Sequence, residues 1–186
     1  MKAFRRLAAL LLIGGVALGP AAAESPRDGR HDFDFDFGAW KLHAERLQHP
    51  LTGSTSWTPL DGTVAVHKLF DGSGNYAEVA AEGPSGRVEI LALRLYNPET
   101  RQWSLYFANP GGTGLGTPLV GDFKDGRGDF YGQDEIGGRV IQIRFSFLPG
   151  SGGEAHSEQA FSTDGGKSWE VNWINTYTRV ADAGSQ

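Results

Sequence analysis

From residue 32 onward, apolar and polar side chains alternate with a period of two over most of the chain. Trp40, Leu42, Ala44 and Arg46 fall on one face of the segment 38–47. Trp103, Leu105 and Phe107 share a face, with Tyr106 opposite. Ile141, Ile143, Phe145 and Phe147 share another, leaving Gln142 and Arg144 outward. Trp169, Val171, Trp173 and Tyr177 form a third aromatic face that also carries Asn175 and Arg179. A period of two is the signature of a half-buried strand. Strands are predicted at 38–47, 63–70, 76–82, 87–96, 102–108, 117–123, 128–133, 139–148, 155–161 and 169–180. Gly-, Pro-, Asn- and Asp-rich turns separate them, which predicts an all-β sandwich or barrel. No segment carries a helical period. Two stretches resist the pattern. Residues 87–96 are apolar on both faces, and Pro118 weakens the start of 117–123. A single bulge would invert any of these face assignments.

The densest mix of aromatic and polar side chains lies in 158–173, which reads as strand, tight turn, strand. Its turn, Ser162-Thr163-Asp164-Gly165-Gly166-Lys167-Ser168-Trp169, has the Asp-box form. An Asp carboxylate accepts backbone N–H groups across such a turn, and glycine supplies positive φ without steric cost. Propellers that use this box repeat it at a period of ~40–50 residues. A single copy therefore reads as a hairpin staple without catalytic meaning.

Lys2, Arg5 and Arg6 precede an apolar run from Leu7 to Leu18, and Ala21-Ala22-Ala23 follows. This is the form of a secretory leader cleaved after Ala23. An uncleaved membrane anchor needs a longer apolar span, and the flanks of Arg5-Arg6 fit twin-arginine export poorly. The expected layout is a leader at 1–23, a polar linker at 24–31, one barrel domain at 32–181 and a disordered tail at 182–186. The expected location is periplasmic or extracellular. The chain has no cysteine, so stability rests on the core alone. A net charge of −5 offers no basic patch for nucleic acid, and no amphipathic basic helix suggests a membrane partner after leader cleavage. A monomer or homodimer is expected.

Between linker and first strand, Phe33, Phe35 and Phe37 alternate with Asp32, Asp34 and Asp36. An extended segment would turn the rings inward and the carboxylates to water. A calcium site is the alternative reading, but strand spacing holds successive carboxylates ~6–7 Å apart, too wide for one ion.

Several phrases carry a resemblance to a family of uncharacterised exported bacterial proteins. They are Phe37-Gly38-Ala39-Trp40-Lys41 with His43, His49-Pro50-Leu51 with Gly53-Ser54-Thr55-Ser56-Trp57, Arg94-Leu95-Tyr96-Asn97-Pro98 with Thr100-Arg101-Gln102-Trp103, and Lys124-Asp125-Gly126-Arg127-Gly128 with Phe130-Tyr131, together with the Asp-box hairpin. The resemblance brings no activity with it. More remotely, the chain is similar to calycins, the lipocalin and nitrobindin-like barrels. In these a Trp early on the first strand packs against a basic residue late on the last, and Trp40 and Arg179 hold those places. The resemblance implies an antiparallel up-and-down β-barrel of about ten strands with little or no helix. Because the chain ends soon after Arg179, the helix-free barrels are the expected kind.

A calycin-like interior implies a small, largely apolar ligand, with Trp40, His49, Arg94, Tyr106, Glu158 and Trp173 as the candidate binding residues. The alternative is a cofactor-free isomerase, cyclase or lyase in the same cavity, with His49, Arg94 and Glu158 as its titratable groups. Each has a plainer reading: a loop histidine before proline for His49, a cross-strand ion pair for Arg94 and a solvated outer face for Glu158. A nitrobindin-like barrel would imply haem on one histidine, but none of His31, His43, His49, His67 and His156 sits in a recognisable haem motif. His43, Glu45 and His49 lack further zinc ligands nearby. No cofactor and no metal are therefore expected.

Overall fold

The computed structural model describes residues 27–180. The expected leader, the first residues of the linker and the expected tail lie outside the described residues. The strands are β1 (Gly38–Leu47), β2 (Trp57–Leu69), β3 (Gly74–Gly83), β4 (Gly86–Asn97), β5 (Gln102–Ala108), β6 (Leu119–Lys124), β7 (Arg127–Ile136), β8 (Arg139–Pro149), β9 (Glu154–Ser162) and β10 (Glu170–Arg179). Each pairs antiparallel with the next, and β10 returns to pair with β1, so the sheet is a closed up-and-down barrel. Closure satisfies both edge strands and removes free sheet edges. Trp40 stands opposite Arg179 in the closing ladder, and the Arg179 guanidinium lies over the Trp40 ring at 4.1 Å.

The strands follow the alternation closely, with two instructive departures. β2 begins at Trp57 rather than 63, taking in Pro59 and Gly62. Gly62 permits this: a Cβ there would sit 2.0 Å from the Ala80 carbonyl oxygen, so the bent strand passes β3 without a side chain. In β10 a bulge between Val171 and Trp173 shifts the register. It splits the predicted aromatic face. Trp173 and Tyr177 face the interior, whereas Trp169 packs outside against Tyr131 and Arg144. The apolar parity of 87–96 also resolves. Val88, Ile90, Ala92 and Arg94 point inward, and Leu91, 40 % exposed, points out.

The largest correction concerns residues 31–37. They are not an extended segment; Asp34–Asp36 is a 3₁₀ turn. Three residues per turn place Phe33 and Asp36 on one side, where strand parity would have separated them. Phe33 is fully buried, with Trp103, Phe123 and Phe147 edge-on at 4.9, 5.0 and 5.2 Å. Asp36 is also buried, not in water. The three carboxylates diverge to separate partners, Asp32 to Arg27, Asp34 to His31 and Asp36 to Arg94. Residues 27–31, expected as linker, are tied to the barrel. The Trp103 indole donates to the Gly29 carbonyl at 3.0 Å, and the Gly29 N–H donates to the Tyr96 hydroxyl at 3.1 Å. The Trp40 indole donates to the Asp36 carbonyl, and Arg179 donates to the carbonyls of Phe35 and Phe37. Residues 27–37 thus form a stopper across one end of the barrel.

At the other end lie the loops β1–β2, β3–β4, β5–β6, β7–β8 and β9–β10. In the last of these, Asp164 accepts from the N–H groups of Lys167 and Ser168 at 3.0 Å each and from the hydroxyls of Ser162 and Ser168. The Ser168 hydrogen bonds hold its carboxyl down at about 2. Gly165 and Gly166 take φ of 77° and 85°, as the box requires.

Candidate ligand cavity

Inward side chains differ sharply around the barrel. Those of β5 to β8 near the stopper are large: Trp103, Leu105, Phe130 and Phe147, which with Phe33 and Phe123 form a packed aromatic cluster. Those of β1 to β4 that line the space above are mostly small or β-branched, Ala44, Val64, Ala77, Val79, Ala81, Val88, Ile90 and Ala92, with Leu42 and Leu60 among them. Rings fill the stoppered end. Alanines opposite one another cannot span the remaining diameter, so space is left toward the open end. The result is a cavity of about 390 Å³, within the range typical of small-molecule sites, roughly 300–1,000 Å³.

The cavity has three zones. Its long wall is the aliphatic surface of β1 to β4, completed by Phe107, Ile143 and Phe145. Its open rim carries Asn109, Thr117, Gln133 and Asp134. Toward the stopper lies a polar floor built from Asp36, Arg94, Asn175 and Tyr177, with Gln159 and Trp173 above them.

The floor is held by specific contacts. Arg94 Nη1 donates to Asp36 Oδ2 in a buried ion pair and to Asn75 Oδ1 at 3.2 Å. The guanidinium lies over Phe33 and Phe147, at 4.6 and 4.8 Å from the ring centroids. A buried ion pair needs such additional partners to offset desolvation. Two groups in this cluster have no protein partner, Arg94 Nε and Asn75 Nδ2. On the β9–β10 side, the Trp173 indole donates to Asn175 Oδ1 at 2.9 Å, and Asn175 Nδ2 donates to Ser157 Oγ at 2.9 Å. Ser157 Oγ also shares a 2.8 Å hydrogen bond with the Tyr177 hydroxyl. Tyr177 is mostly buried, with part of its ring facing the cavity, and burial pushes its hydroxyl up to about 12. It therefore remains protonated at neutral pH, with a proton to donate.

The barrel wall is incomplete at the open end. β6 pairs with β5 only from Trp103 to Leu105, and with β7 only up to Tyr131. Beyond those points no strand separates the rim of β5 from that of β7. The glycine-rich loop 109–118 covers the seam, tied back through the Gly116 N–H to the Phe107 carbonyl at 3.2 Å.

Of the six residues singled out from the sequence, Arg94 and Trp173 line this cavity. Trp40 is buried at the stoppered end beneath Arg179 and does not line it. His49 lies in the β1–β2 loop at the open end, exposed, with φ of 52°. Tyr106 points outward between the inward residues Leu105 and Phe107. Glu158 is on the outer wall, paired with Arg127 at 3.2 Å and Arg144 at 3.3 Å. The trio His49, Arg94 and Glu158 is therefore not brought together on the cavity. Asp36, Gln159, Asn175 and Tyr177 were not singled out. Asn175 and Tyr177 were visible on the Trp173 face; Asp36 was hidden by the 3₁₀ turn.

All five histidines are exposed, and none lines the cavity, so the barrel interior offers no proximal ligand for a haem. Among the described residues no cluster of three or more His, Asp or Glu side chains is placed to hold a metal ion. No helix among them is long and apolar enough to cross a membrane.

A closed antiparallel up-and-down barrel with a stopper at one end and a hollow, mostly apolar interior defines the class by fold, that of a calycin-like barrel. Among solved structures, it is similar to the S-type phycobiliprotein lyase of Guillardia theta, with a TM-score of 0.55 over 84 % of this chain and 94 % of that one. At 9 % identity the likeness is one of fold. No family model and no curated protein sequence matches the chain.

Proposed function

We propose that this barrel binds a small, largely apolar molecule in its interior. The observation that carries the reading is the alanine- and valine-lined wall facing a polar floor across about 390 Å³. At ~30 Å³ per water-sized group, that space suits a molecule of on the order of 13 non-hydrogen atoms, and somewhat more if closely packed. The leader pattern supports export to the periplasm or beyond, as does the resemblance of its phrases to exported bacterial proteins. No bound cofactor is needed for this role, and nucleic acid or membrane partners have no surface to recommend them. Native mass spectrometry of the protein purified from its own host, followed by titration with the neutral dye N-phenylnaphthylamine, tests it. A co-purified molecule and saturable dye fluorescence are expected. Absence of both would overturn the reading.

A second reading, a cofactor-free isomerase, cyclase or lyase, is favoured by one observation. A carboxylate (Asp36) and a phenol (Tyr177) both face the same cavity. The S-type phycobiliprotein lyase shares the fold, which is compatible with chemistry in such a barrel. Turnover of the co-purified molecule, lost in Tyr177→Phe with binding retained, would separate catalysis from storage or transport.

A further inference from the structure

Resting on the binding reading above, we infer that the ligand enters and leaves through the side of the barrel, by displacement of the loop 109–118, and not along the barrel axis. The wall has a notch at the open end. β4 pairs with β5 only from Leu91 to Asn97, so its residues 86–90 have β3 on one side and no strand on the other. Across the notch, β7 residues 132–136 pair with β8 alone. Between them β5 stops at Ala108 and β6 begins at Leu119, where Pro118 has no N–H to carry the ladder further. The gap left by two short strands is roughly 10 Å across, wide enough for a ring or an alkyl chain. The loop 109–118 covers it, and Asn109, Gly116 and Thr117 line the cavity from there. An outer groove of about 430 Å³ lies against Glu89, Leu91 and Pro110. It shares Val79, Ile90, Ala108 and Asn109 with the cavity, so the start of the loop stands between the cavity and the outside.

The other four loops at this end are fastened. β3–β4 and β7–β8 are two-residue turns, closed by the pairs Gly83–Gly86 and Ile136–Arg139. Asp164 staples β9–β10, and the Leu51 N–H donates to Glu170 Oε1 at 2.6 Å, tying the β1–β2 loop to β10. Among the described residues, the loop 109–118 has a single backbone hydrogen bond to the strands, from the Gly116 N–H to the Phe107 carbonyl. Leu115 is exposed and does not pin the tip. Gly111 and Gly114 sit at φ of 82° and 125°, with open space where a side chain would stand, so the backbone turns there without a clash. Of the five loops, this one opens for the loss of one hydrogen bond.

The experiment is stopped-flow binding and release of N-phenylnaphthylamine. Gly116→Pro removes the one tying N–H. A gate acts in both directions, so the association and dissociation rate constants should rise together, by about two- to tenfold. Damage to the cavity would raise dissociation alone. Deleting residues 111–114 leaves six loop residues, enough to join two neighbouring strands. The deletion should raise both rate constants at least as much, and it decides the matter should Gly116→Pro fail to fold. Glu170→Ala unties the β1–β2 loop instead, and should leave both rate constants within about twofold of native, since opening along the axis is not the route. An unchanged association rate constant in either folded loop variant overturns the inference, as does an acceleration in Glu170→Ala equal to theirs. If the dye does not bind the native protein at all, the binding reading itself falls, a result distinct from binding whose rates ignore the loop.

Discussion

Replacing Ala92 by leucine asks directly whether the interior is hollow. Ala92 sits inward on β4, opposite Ala77 of β3 and Phe107 of β5, and lines the cavity. In a filled core, adding three carbons forces strain and costs about 1–3 kcal/mol. Here the added atoms enter empty space. Burying them contributes about 0.8 kcal/mol each, and fixing the leucine rotamer removes roughly 0.5–1 kcal/mol. The net expectation is no loss and a gain of up to about 2 kcal/mol. The added side chain also occupies roughly 90 Å³ at ~30 Å³ per heavy atom, near a quarter of the 390 Å³ available. Dye affinity should fall at least about tenfold, as expected when an ordered ligand loses its volume. The internal control is Ala155→Leu, a buried alanine of the same core that does not line the cavity. It should lose about 1–3 kcal/mol. Urea denaturation and dye titration of both variants give the answer. If Ala92→Leu is destabilised as much as Ala155→Leu and still binds dye normally, the reasoning from a hollow alanine wall is refuted.

Three further outcomes follow from the same contacts. Arg179→Ala removes a cation–π stack on Trp40 and hydrogen bonds to the carbonyls of Phe35 and Phe37; it should cost about 1–3 kcal/mol in chemical denaturation, with Arg179→Lys recovering only part, and an unchanged midpoint would count against the closure role. Phe33→Ala empties the centre of the aromatic cluster and should cost about 3–5 kcal/mol, against the few tenths expected were residues 31–37 a loose linker. Asp164, held at about 2 in the fold against an ordinary 3.8, binds protons less readily folded than unfolded, so its contribution to stability is present above pH 3.8 and is lost as pH falls through about 2; the gap between native protein and Asp164→Asn in thermal melts should close across that window and stay constant above it.

Alternation and turns were enough to read an all-β sandwich or barrel, because a period of two survives in strands whose two faces meet different solvents; the choice of a closed barrel came with the resemblance to calycins. Pairing of the first and last strands was legible only through that resemblance, in which Trp40 and Arg179 hold the facing places that the closing ladder brings together. The interior was harder. Ala77, Val79 and Ala81, and Val88, Ile90 and Ala92, are inward positions whose small size leaves a void, but parity ranks residues by polarity rather than by volume. A search for large aromatic faces pointed to Trp103 and Phe107, which mark the filled half and one border of the cavity. The two worst departures were local breaks in period. The bulge near Val171 turned Trp169 to the outer wall. The 3₁₀ turn at Asp34–Asp36 carried a carboxylate into the interior. Neither break changes composition, so neither left a mark that periodicity could register.

That turn also joins stability to recognition. Phe33 and Asp36 are one 3₁₀ turn apart, and both meet Arg94, the ring through its face and the carboxylate through its charge. Seating the ring in the aromatic cluster therefore sets the carboxylate on the cavity floor. The anchoring is redundant, through the indoles of Trp40 and Trp103 and the guanidinium of Arg179. Redundancy of this kind suits a buried ion pair, whose partners are costly to separate. It follows that damage to the stopper should not act on stability alone. In Phe33→Ala, whatever native population remains has a less firmly placed Asp36 on the cavity floor, so its affinity for N-phenylnaphthylamine should change as well. Ala155→Leu, destabilised at a position that does not line the cavity, should leave that affinity unchanged. Unchanged affinity in both variants would mean that the stopper holds the barrel shut without shaping the cavity floor.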